Sequence, residues 1–295
     1  VYSAGNRNII ETDLYRDVEI TLPSTDTYIL ALQSNQDTPA EYKFQVVTPE
    51  IEIGETITHG DIITGEITEK GEEDIYTFAG SIGERVFLDA LLETIDIEAK
   101  LVSPSGIDVF YRDINGDQWY SPQILPEDGT YQLTINGEGE KTGEYKFRLL
   151  SFDNAVELTS SISQPGTLNS GSEIDLYKFT GSKGERVYFN SLVDSSDSTW
   201  LLYGPDNQKI GESSLNNDFE EVLSGDGTYY LMLRGNGSET TIDYEIEIIS
   251  STSPEQLLTS TNGDIFVDSD ISKLGEQDTY TFSGEIGQQL YFDGI

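Results

Sequence analysis

Acidic side chains occur at one recurring place in the sequence, directly before or at the start of a segment rich in aromatic residues. Two carboxylates separated by one residue can offer oxygen atoms to Ca²⁺, which takes roughly six to eight such ligands. The candidate ligands are Glu72, Asp74, Glu173, Asp175, Glu276 and Asp278. An acidic turn that caps the following strand would explain the same residues without a metal, so both interpretations stay open.

A second candidate for calcium is the segment 113–117, which reads DINGD and has the side-chain spacing of a calcium-binding loop. The ligands would be Asp113, Asn115 and Asp117. The last ligand position of such a loop is Ile124 here rather than Glu, and Gln118 stands where the loop requires Gly. Asn-Gly is also a strong signal for a two-residue β-hairpin turn, and a hairpin is the favoured interpretation.

Residues that could catalyse a reaction are scarce. His59 is the only histidine, and the sequence contains no cysteine. A Ser-His-Asp arrangement would depend on that single histidine, and the Gly-x-Ser-x-Gly turn of a nucleophilic serine is absent. His59 precedes a glycine, and we expect it to be a solvated loop residue. The sequence therefore predicts a protein that is not an enzyme.

The acidic residues belong to a phrase that occurs three times. Residues 74–89 read DIYTFAGSIGERVFLD, residues 175–190 read DLYKFTGSKGERVYFN, and residues 278–293 read DTYTFSGEIGQQLYFD. The copies start 101 and 103 residues apart. A period of that length is a whole domain, whereas a solenoid unit has roughly 20–50 residues. The sequence thus predicts a tandem array.

Later phrases repeat with the same period and set the limits of the units. We expect complete repeats at 49–152 and 153–250, the second half of a repeat at 1–48, and the first half of another at 251–295. The two halves would together form a domain that lacks the equivalent of residues 193–201. Either the chain is a fragment of a longer one, or the tail of one copy completes the head of the next.

The elements that carry these phrases are predicted to be β-strands. Apolar residues alternate at 131, 133 and 135 and again at 145, 147 and 149, which indicates half-buried strands. Glycine-rich turns separate the strands, and no helical period is present. We predict an all-β fold of tandem antiparallel, jelly-roll-like β-sandwich domains of about 100 residues each. Tyr131 and Tyr229 follow Gly-Thr, and their hydroxyls are expected to reach a backbone group at the corner.

Charge limits the partners of the chain. It carries 16 basic and 54 acidic residues, for a formal net charge of −38. Phosphate binding needs clustered cations, so nucleic acid is excluded as a natural ligand. No stretch of about 18 apolar residues is present, so no membrane span is expected. The acidic surface favours solubility and attraction for cations such as Ca²⁺.

The repeated motifs form an ordered set: a D-x-Y-x-F strand, a Gly-bounded turn, an Arg-Val-Phe-Leu strand, a proline turn, a Gly-Thr-Tyr strand and a final Tyr strand. In one repeat they lie at 74–78, 85–88, 101–106, 129–131 and 145–147, and in the next at 175–179, 203–207, 227–229 and 244–246. This set resembles the bacterial pre-peptidase C-terminal domain over essentially the whole chain.

The resemblance implies a jelly-roll-like sandwich of roughly eight or nine strands that is appended to secreted enzymes or repeated along surface proteins. Collagen-binding relatives hold Ca²⁺ in an acidic linker with a Glu-x-Glu-x-Asn-Asp pattern. The linkers of this chain read PEIEI at 49–53 and SPEQL at 253–257, without the Asn-Asp pair. Calcium is therefore not expected at that place.

Taken together, these features predict a structural component of an extracellular array, such as a stalk, fibre, sheath or surface filament. Its partners would be neighbouring copies or further repeats of the same chain, and the half-repeats suggest head-to-tail assembly. The alternative is an accessory or adhesion module of a secreted bacterial protein that binds a polysaccharide or a surface protein.

Overall fold

The structure is a computed structural model. It describes residues 1–3, 5, 7–13, 18, 20–34, 41–46, 51–92, 96–114, 117, 120–169, 172–193, 197–236, 241–251, 256–257, 265, 267–271 and 278–294, with only the backbone at 51–55, 251 and 256–257. Within these ranges the regular structure is β-strand, apart from a 3₁₀ turn at Phe152–Asn154 and a 3₁₀ position at Asp117. None of the described helices is long and apolar enough to cross a membrane.

The first sandwich begins after a short strand pair, β1 (Tyr2–Ser3) and β2 (Tyr28–Ile29). Its strands are β3 (Ile51–Thr56), β4 (Ile62–Ile67), β5 (Glu73–Gly80), β6 (Arg85–Ala90), β7 (Ile97–Val102), β8 (Asp108–Asp113), β9 (Gln123–Ile124), β10 (Gly129–Gly137) and β11 (Gly143–Ser151). Sheet A has the order β3-β5-β10-β7-β8, and sheet B has the order β4-β11-β6-β9. Only the β3–β5 pair is parallel among these neighbours.

The second sandwich repeats this topology. Its strands are β12 (Val156–Glu157), β13 (Gln164–Leu168), β14 (Ile174–Gly181), β15 (Arg186–Ser191), β16 (Ser198–Tyr203), β17 (Lys209–Ser214), β18 (Phe219–Val222), β19 (Gly227–Gly235) and β20 (Ile242–Ser251). Sheet C has the order β12-β14-β19-β16-β17, and sheet D has the order β13-β20-β15-β18. As in the first sandwich, the first strand of the repeat pairs in parallel, here β12 with β14.

Short pairings at both ends of the chain reproduce pairings of the complete sandwiches. Tyr2 lies opposite Ile29 as Tyr203 lies opposite Tyr230, and both positions are offset by the same 201 residues. At the other end, β21 (Gln256–Leu257) pairs in parallel with β22 (Tyr280–Thr281), as β12 does with β14. These two short pairings therefore match pairings of the complete repeats, although in the third copy of the phrase only Tyr280–Thr281 forms a strand.

Alternation along the strands produces the two cores. Tyr131, Leu133 and Ile135 are fully buried between sheets A and B, and Tyr229, Leu231 and Leu233 are fully buried between sheets C and D. Side chains on a strand point alternately to opposite faces, so every second residue enters the core. The prediction of tandem antiparallel β-sandwiches is confirmed.

The hairpin prediction for residues 113–117 is wrong. The strand before this segment, β8, lies in sheet A, whereas the next strand, β9, lies in sheet B. The chain therefore crosses from one sheet to the other and does not return beside itself. Asn115 lies outside the described residues.

The repeated tyrosine of each Thr-Tyr phrase closes a corner, as predicted. The hydroxyls of Tyr28, Tyr131 and Tyr229 donate hydrogen bonds to the backbone oxygens of Ser24, Glu127 and Gly225, at 2.7, 2.7 and 2.8 Å. Each acceptor lies four residues before its tyrosine. The ring is thereby fixed at the edge of the core without an unpaired hydroxyl.

The glycines at equivalent positions 65 and 166 leave room for a tyrosine ring. A Cβ atom added to Gly166 would lie 2.2 Å from Cζ and Oη of Tyr244. We expect Gly166→Ala to reduce the free energy of unfolding by roughly 1–3 kcal/mol, because the ring would be forced out of its packed position. Urea denaturation measures this change. Gly225→Ala is the matched control, since nothing lies within 4 Å of its added Cβ, and an equal loss in both variants would contradict the explanation.

Candidate functional site at the joint of two sandwiches

The recurring aspartate of the D-x-Y-x-F phrase accepts a hydrogen bond from a tyrosine in the last strand of the same repeat. Tyr145 donates to Oδ2 of Asp74, and the hydroxyls of Tyr145 and Tyr76 lie 2.6 Å apart. Burial, aided by the charge of Glu72, raises the pKa of Asp74 above its usual range. These contacts link the first and last phrases of the repeat.

The second copy repeats this arrangement. Tyr244 donates to Oδ2 of Asp175, and its hydroxyl lies 2.6 Å from that of Tyr177. In the third copy, Tyr280 donates to Oδ2 of Asp278 at 3.2 Å. In the two complete repeats the donor is a tyrosine of the last strand, whereas in the third copy it is the tyrosine two residues after the aspartate.

The glutamates that precede these aspartates close a turn. Oε2 of Glu72 accepts hydrogen bonds from the backbone and side chain of Thr68 at 2.6 and 2.8 Å and from the backbone of Glu69 at 2.8 Å. Oε2 of Glu173 accepts from the backbone of Asn169 in the same way. Glu276 lies outside the described residues. These carboxylates have protein donors, and calcium binding at them stays a prediction.

The other proposed calcium ligands have different surroundings. Asp113 ends β8, Asn115 is not described, and Asp117 is buried in a salt bridge with Arg112 at 2.8 Å. Ala90 donates its backbone N–H to both carboxylate oxygens of Asp117 at 3.2 and 3.1 Å. The described part of the chain contains no group of three or more His, Cys, Asp or Glu side chains placed to hold a metal ion.

His59 is packed rather than solvated, so that expectation was wrong. Its side chain is 14% exposed, its Nδ1 lies 3.5 Å from Oε1 of Glu84, and its ring packs edge-on against Phe78 at 5.2 Å. Ser151 donates to the same oxygen of Glu84. Ser250 and Glu185 form an equivalent pair in the second sandwich. The serine–glutamate contact is therefore a repeated structural feature, and the histidine is an addition to it.

An apolar joint lies between the two sandwiches. We use the term joint for the outer faces of sheets B and C where they pack together. Its buried apolar residues are Phe87, Phe152, Ile174, Leu201, Tyr203 and Met232, with Tyr120, Leu150, Leu176 and Tyr230 packed around them. The rings of Phe152 and Tyr230 meet edge to face at 5.2 Å.

Strand β6 shows how the joint uses the second face of a sheet. All six of its residues are buried. Val86, Leu88 and Ala90 enter the first core, while Phe87 enters the joint. An antiparallel sheet with one solvated face would expose every second residue, so burial of both faces identifies sheet B as an internal layer.

Arg148 connects the two sandwiches at the edge of the apolar contact. Its Nε donates to Oδ2 of Asp89 at 2.6 Å within the first sandwich. Its Nη1 lies 3.0 Å from Oε1 of Glu173 in the second sandwich, and its Nη2 donates to the backbone oxygen of Ile174. Burial would lower the pKa of Arg148, but Asp89 and Glu173 raise it above its ordinary value. The guanidinium therefore stays charged in the joint.

Further polar contacts surround the joint. Arg85 donates to the backbone oxygen of Pro205 at 3.2 Å and lies over the ring of Tyr230, 4.6 Å from its centroid. Asn207 donates to the backbone oxygen of Pro122 at 3.1 Å, and Ser172 donates to that of Leu91 at 3.2 Å. These contacts fix the orientation of one sandwich on the other.

The corresponding outer faces elsewhere do not repeat the joint. On sheet D, Glu247 occupies the position of Arg148, and Asn190 that of Asp89. On sheet A, the positions of Leu201, Tyr230 and Met232 are occupied by Lys100, Gln132 and Thr134. Among the four sheets of the two described sandwiches, the joint residues thus occur only on sheets B and C.

Sequence reasoning did not identify the joint, although a signal was present. The runs WLLY at 200–203 and YYLML at 229–233 place apolar residues on both faces of their strands. A continuous apolar run in a strand indicates burial on both sides. The alternation of apolar residues predicts which face of each strand enters the core. It does not predict that the opposite face is also buried.

Replacing Arg148 tests the electrostatic part of the joint. We expect Arg148→Met to cost roughly 3–5 kcal/mol in the free energy of unfolding, because it leaves Asp89 and Glu173 buried without their cation. Arg186→Met is the matched control. Its pair with Glu220 is more than a third exposed on both sides, and such pairs contribute about 0–1 kcal/mol. Guanidinium denaturation of both variants gives the comparison, and similar losses would contradict the role assigned to Arg148.

No protein-family model matches the sequence, and no curated protein matches it. Among solved structures, the chain is similar to PliG, a periplasmic inhibitor of g-type lysozyme from Aeromonas hydrophila, with 14% identity, 33% of this chain and 96% of that chain covered, and a TM-score of 0.30. It is also similar to the pre-peptidase C-terminal domain of collagenase from Bacillus anthracis. The identity is 18%, the match covers 36% of this chain and 99% of that domain, and the TM-score is 0.26. The CUB1-EGF-CUB2 domains of rat MASP-1 match at 8% identity. That match covers 67% of this chain and 100% of the rat chain, with a TM-score of 0.20. The resemblance to pre-peptidase C-terminal domains is confirmed as a likeness of fold alone.

Proposed function

We propose that this chain is a structural spacer within an extracellular tandem array, in which consecutive sandwiches hold a fixed orientation. The observation that carries this proposal is the joint, where an apolar cluster and the Arg148 contacts bury the facing surfaces of two domains. Domain interfaces within a chain normally permit relative motion unless they are large and hydrophobic. A buried joint of this kind makes two domains act as one longer body.

The connection between the sandwiches supports the same function. It is short, and its first residue, Phe152, is fully buried in the joint. Ala155 is 8% exposed, so the connection is held at both ends. A flexible linker would be composed of small polar residues and would leave the domains free to rotate.

The composition fits a protein outside the cell that meets mainly copies of itself. The net charge of −38 favours solubility and repulsion between the sides of neighbouring chains. The partners that we propose are further repeats of the same chain or neighbouring copies of it. Contact between chains would then occur at specific faces rather than through general attraction.

The terminal half-repeats offer such specific faces. Tyr42, Phe44 and Val46 are 64, 46 and 72% exposed, whereas their counterparts Tyr145, Phe147 and Leu149 are fully buried in a complete repeat. At the other end, Leu290 and Phe292 are 50 and 79% exposed, whereas their counterparts Val86 and Leu88 are buried in the first core. We propose that a complementary half-repeat covers these residues, supplied either by further chain or by a second copy assembled head to tail.

The binding-module alternative has less support among the described residues. Trp200 is fully buried, and its indole donates to the backbone oxygen of Asn217 at 3.3 Å. It therefore offers no ring for stacking on a sugar. Trp119 lies outside the described residues.

Limited proteolysis tests the fixed joint. The connection contains two exposed residues, Asp153 and Asn154, which a broad-specificity protease could reach if the domains separated. We expect a resistant fragment that contains both complete sandwiches, and we expect Met232→Asp, which places a charge in the joint, to release them separately. Thr134→Asp is the control at the equivalent position of sheet A. Equal cleavage of the wild-type chain and the Met232→Asp variant would contradict the proposal.

Head-to-tail assembly is tested by sedimentation velocity combined with negative-stain electron microscopy of residues 1–295. We expect linear polymers that grow with concentration and that Phe44→Asp abolishes, since it places a charge in the surface to be covered. Ile82→Asp, at a 65% exposed turn position of a complete repeat, should leave the polymers intact. Monomers at every concentration would exclude assembly through half-repeats and leave continuation of the chain as the way to complete them.

A further inference from the structure

Two buried carboxyl groups meet beside the joint. Asp89 on β6 is fully buried and Asp117 is 5% exposed, and both carboxylate oxygens of Asp117 accept from the backbone N–H of Ala90, the residue that follows Asp89. Ionised carboxylates only accept hydrogen bonds, so two of them cannot bond to each other without a proton. Two buried carboxyl groups this close together favour retention of one proton between them.

The individual oxygen atoms indicate where the proton belongs. Oδ2 of Asp89 accepts from Nε of Arg148 and from the backbone N–H of Ile174, at 2.6 and 3.3 Å. Oδ1 of Asp89 is buried, and no hydrogen-bond donor among the described residues reaches it. Asp117 already accepts from Arg112 and from the backbone of Ala90. A proton between the carboxyls would satisfy the remaining oxygen of Asp89.

The surrounding charges also favour proton uptake. The cations that face the pair are Arg112, at the end of β8, and Arg148, on β11. The second sandwich adds the carboxyls of Glu173 and Asp175, whose charges act on Arg148. Four carboxyl groups thus share two guanidinium groups in a buried region, and one bound proton reduces the excess of negative charge.

We propose that Asp89 and Asp117 share one proton and that this proton keeps the joint closed, so that alkaline pH loosens the contact between the sandwiches. Asp89 belongs to the first sandwich and Ile174 to the second, so the carboxyl that carries the proton also accepts a bond across the joint. Loss of the proton adds a buried negative charge beside Glu173. This inference stands whether or not the array is a spacer.

The direction of the pH dependence follows from linkage. Burial, reinforced by the charge of Asp117, raises the pKa of Asp89 well above its ordinary value. A group whose pKa is higher in the folded state than in the unfolded state binds its proton more tightly when folded. Its contribution to stability is full at acidic pH, below the unfolded pKa, and is lost as the pH rises through the folded pKa.

A natural counterpart shows that a neutral side chain fits this strand position. Asn190 occupies the place of Asp89 on the outer face of sheet D, and its Nδ2 donates to Oε2 of Glu247 at 3.3 Å. An amide in place of the Asp89 carboxyl can likewise donate to Asp117 without a titrating proton. Asp89→Asn is therefore an isosteric probe, and Asp117→Asn is a second one should the first fail to fold.

Infrared spectroscopy tests the shared proton directly. We expect a protonated-carboxyl C=O band at about pH 7, above the usual carboxyl range, that disappears in Asp89→Asn and in Asp117→Asn. Asp243→Asn is the control, because this exposed carboxylate accepts from Thr167 at 2.8 Å outside the joint. A band that neither asparagine variant alters, or no such band at neutral pH, would overturn the proposal.

Hydrogen exchange then tests the consequence for the joint. As the pH is raised until the band is lost, the protection factor of the Ile174 amide should fall over the same range in the wild-type chain. It should not fall in that range in Asp89→Asn, which has no proton to lose. Unchanged protection after loss of the band would show that the proton does not hold the joint.

Discussion

Arg148 is the contact on which the arrangement of the two sandwiches depends. Its guanidinium bonds to Asp89 in its own domain and to Glu173 and Ile174 in the next. Removing a guanidinium from such a place leaves buried carboxylates without compensation, which costs more than the pair contributes when intact. The surrounding apolar cluster contributes buried apolar surface, which would tolerate several orientations. Arg148 can make its contacts in only one orientation of the two domains.

This requirement explains why the outer faces of sheets B and C differ from those of sheets A and D. Sheet D carries Glu247 where sheet B carries Arg148, so the same contact cannot form there. The two described sandwiches therefore share one pattern of core residues, while the Arg148 contacts belong to the junction between sheets B and C.

Much of the fold followed from the sequence because strand alternation and turn chemistry are local. Tyr131 and Leu133 were assigned to the core from their spacing, and the corner formed by Tyr229 was expected from its Gly-Thr-Tyr phrase. The joint was missed because Met232 and Leu201 occupy positions that alternation assigns to solvent. The crossing between β8 and β9 was also missed, because Asn-Gly specifies a tight turn but not the sheet to which the next strand belongs. The packing of His59 on Phe78 likewise depends on contacts that are distant in sequence.

The central claim is that the two complete repeats form one body, and a distance distribution between spin labels tests it most directly. The chain has no cysteine, so labels can be placed at Gln132→Cys on the outer face of sheet A and Val222→Cys on the outer face of sheet D. Double electron–electron resonance should give one narrow distribution centred at about 30 Å or more, since three sheet spacings of about 10 Å separate these faces. A broad distribution, or several distances, would show that the sandwiches move independently and would contradict the account.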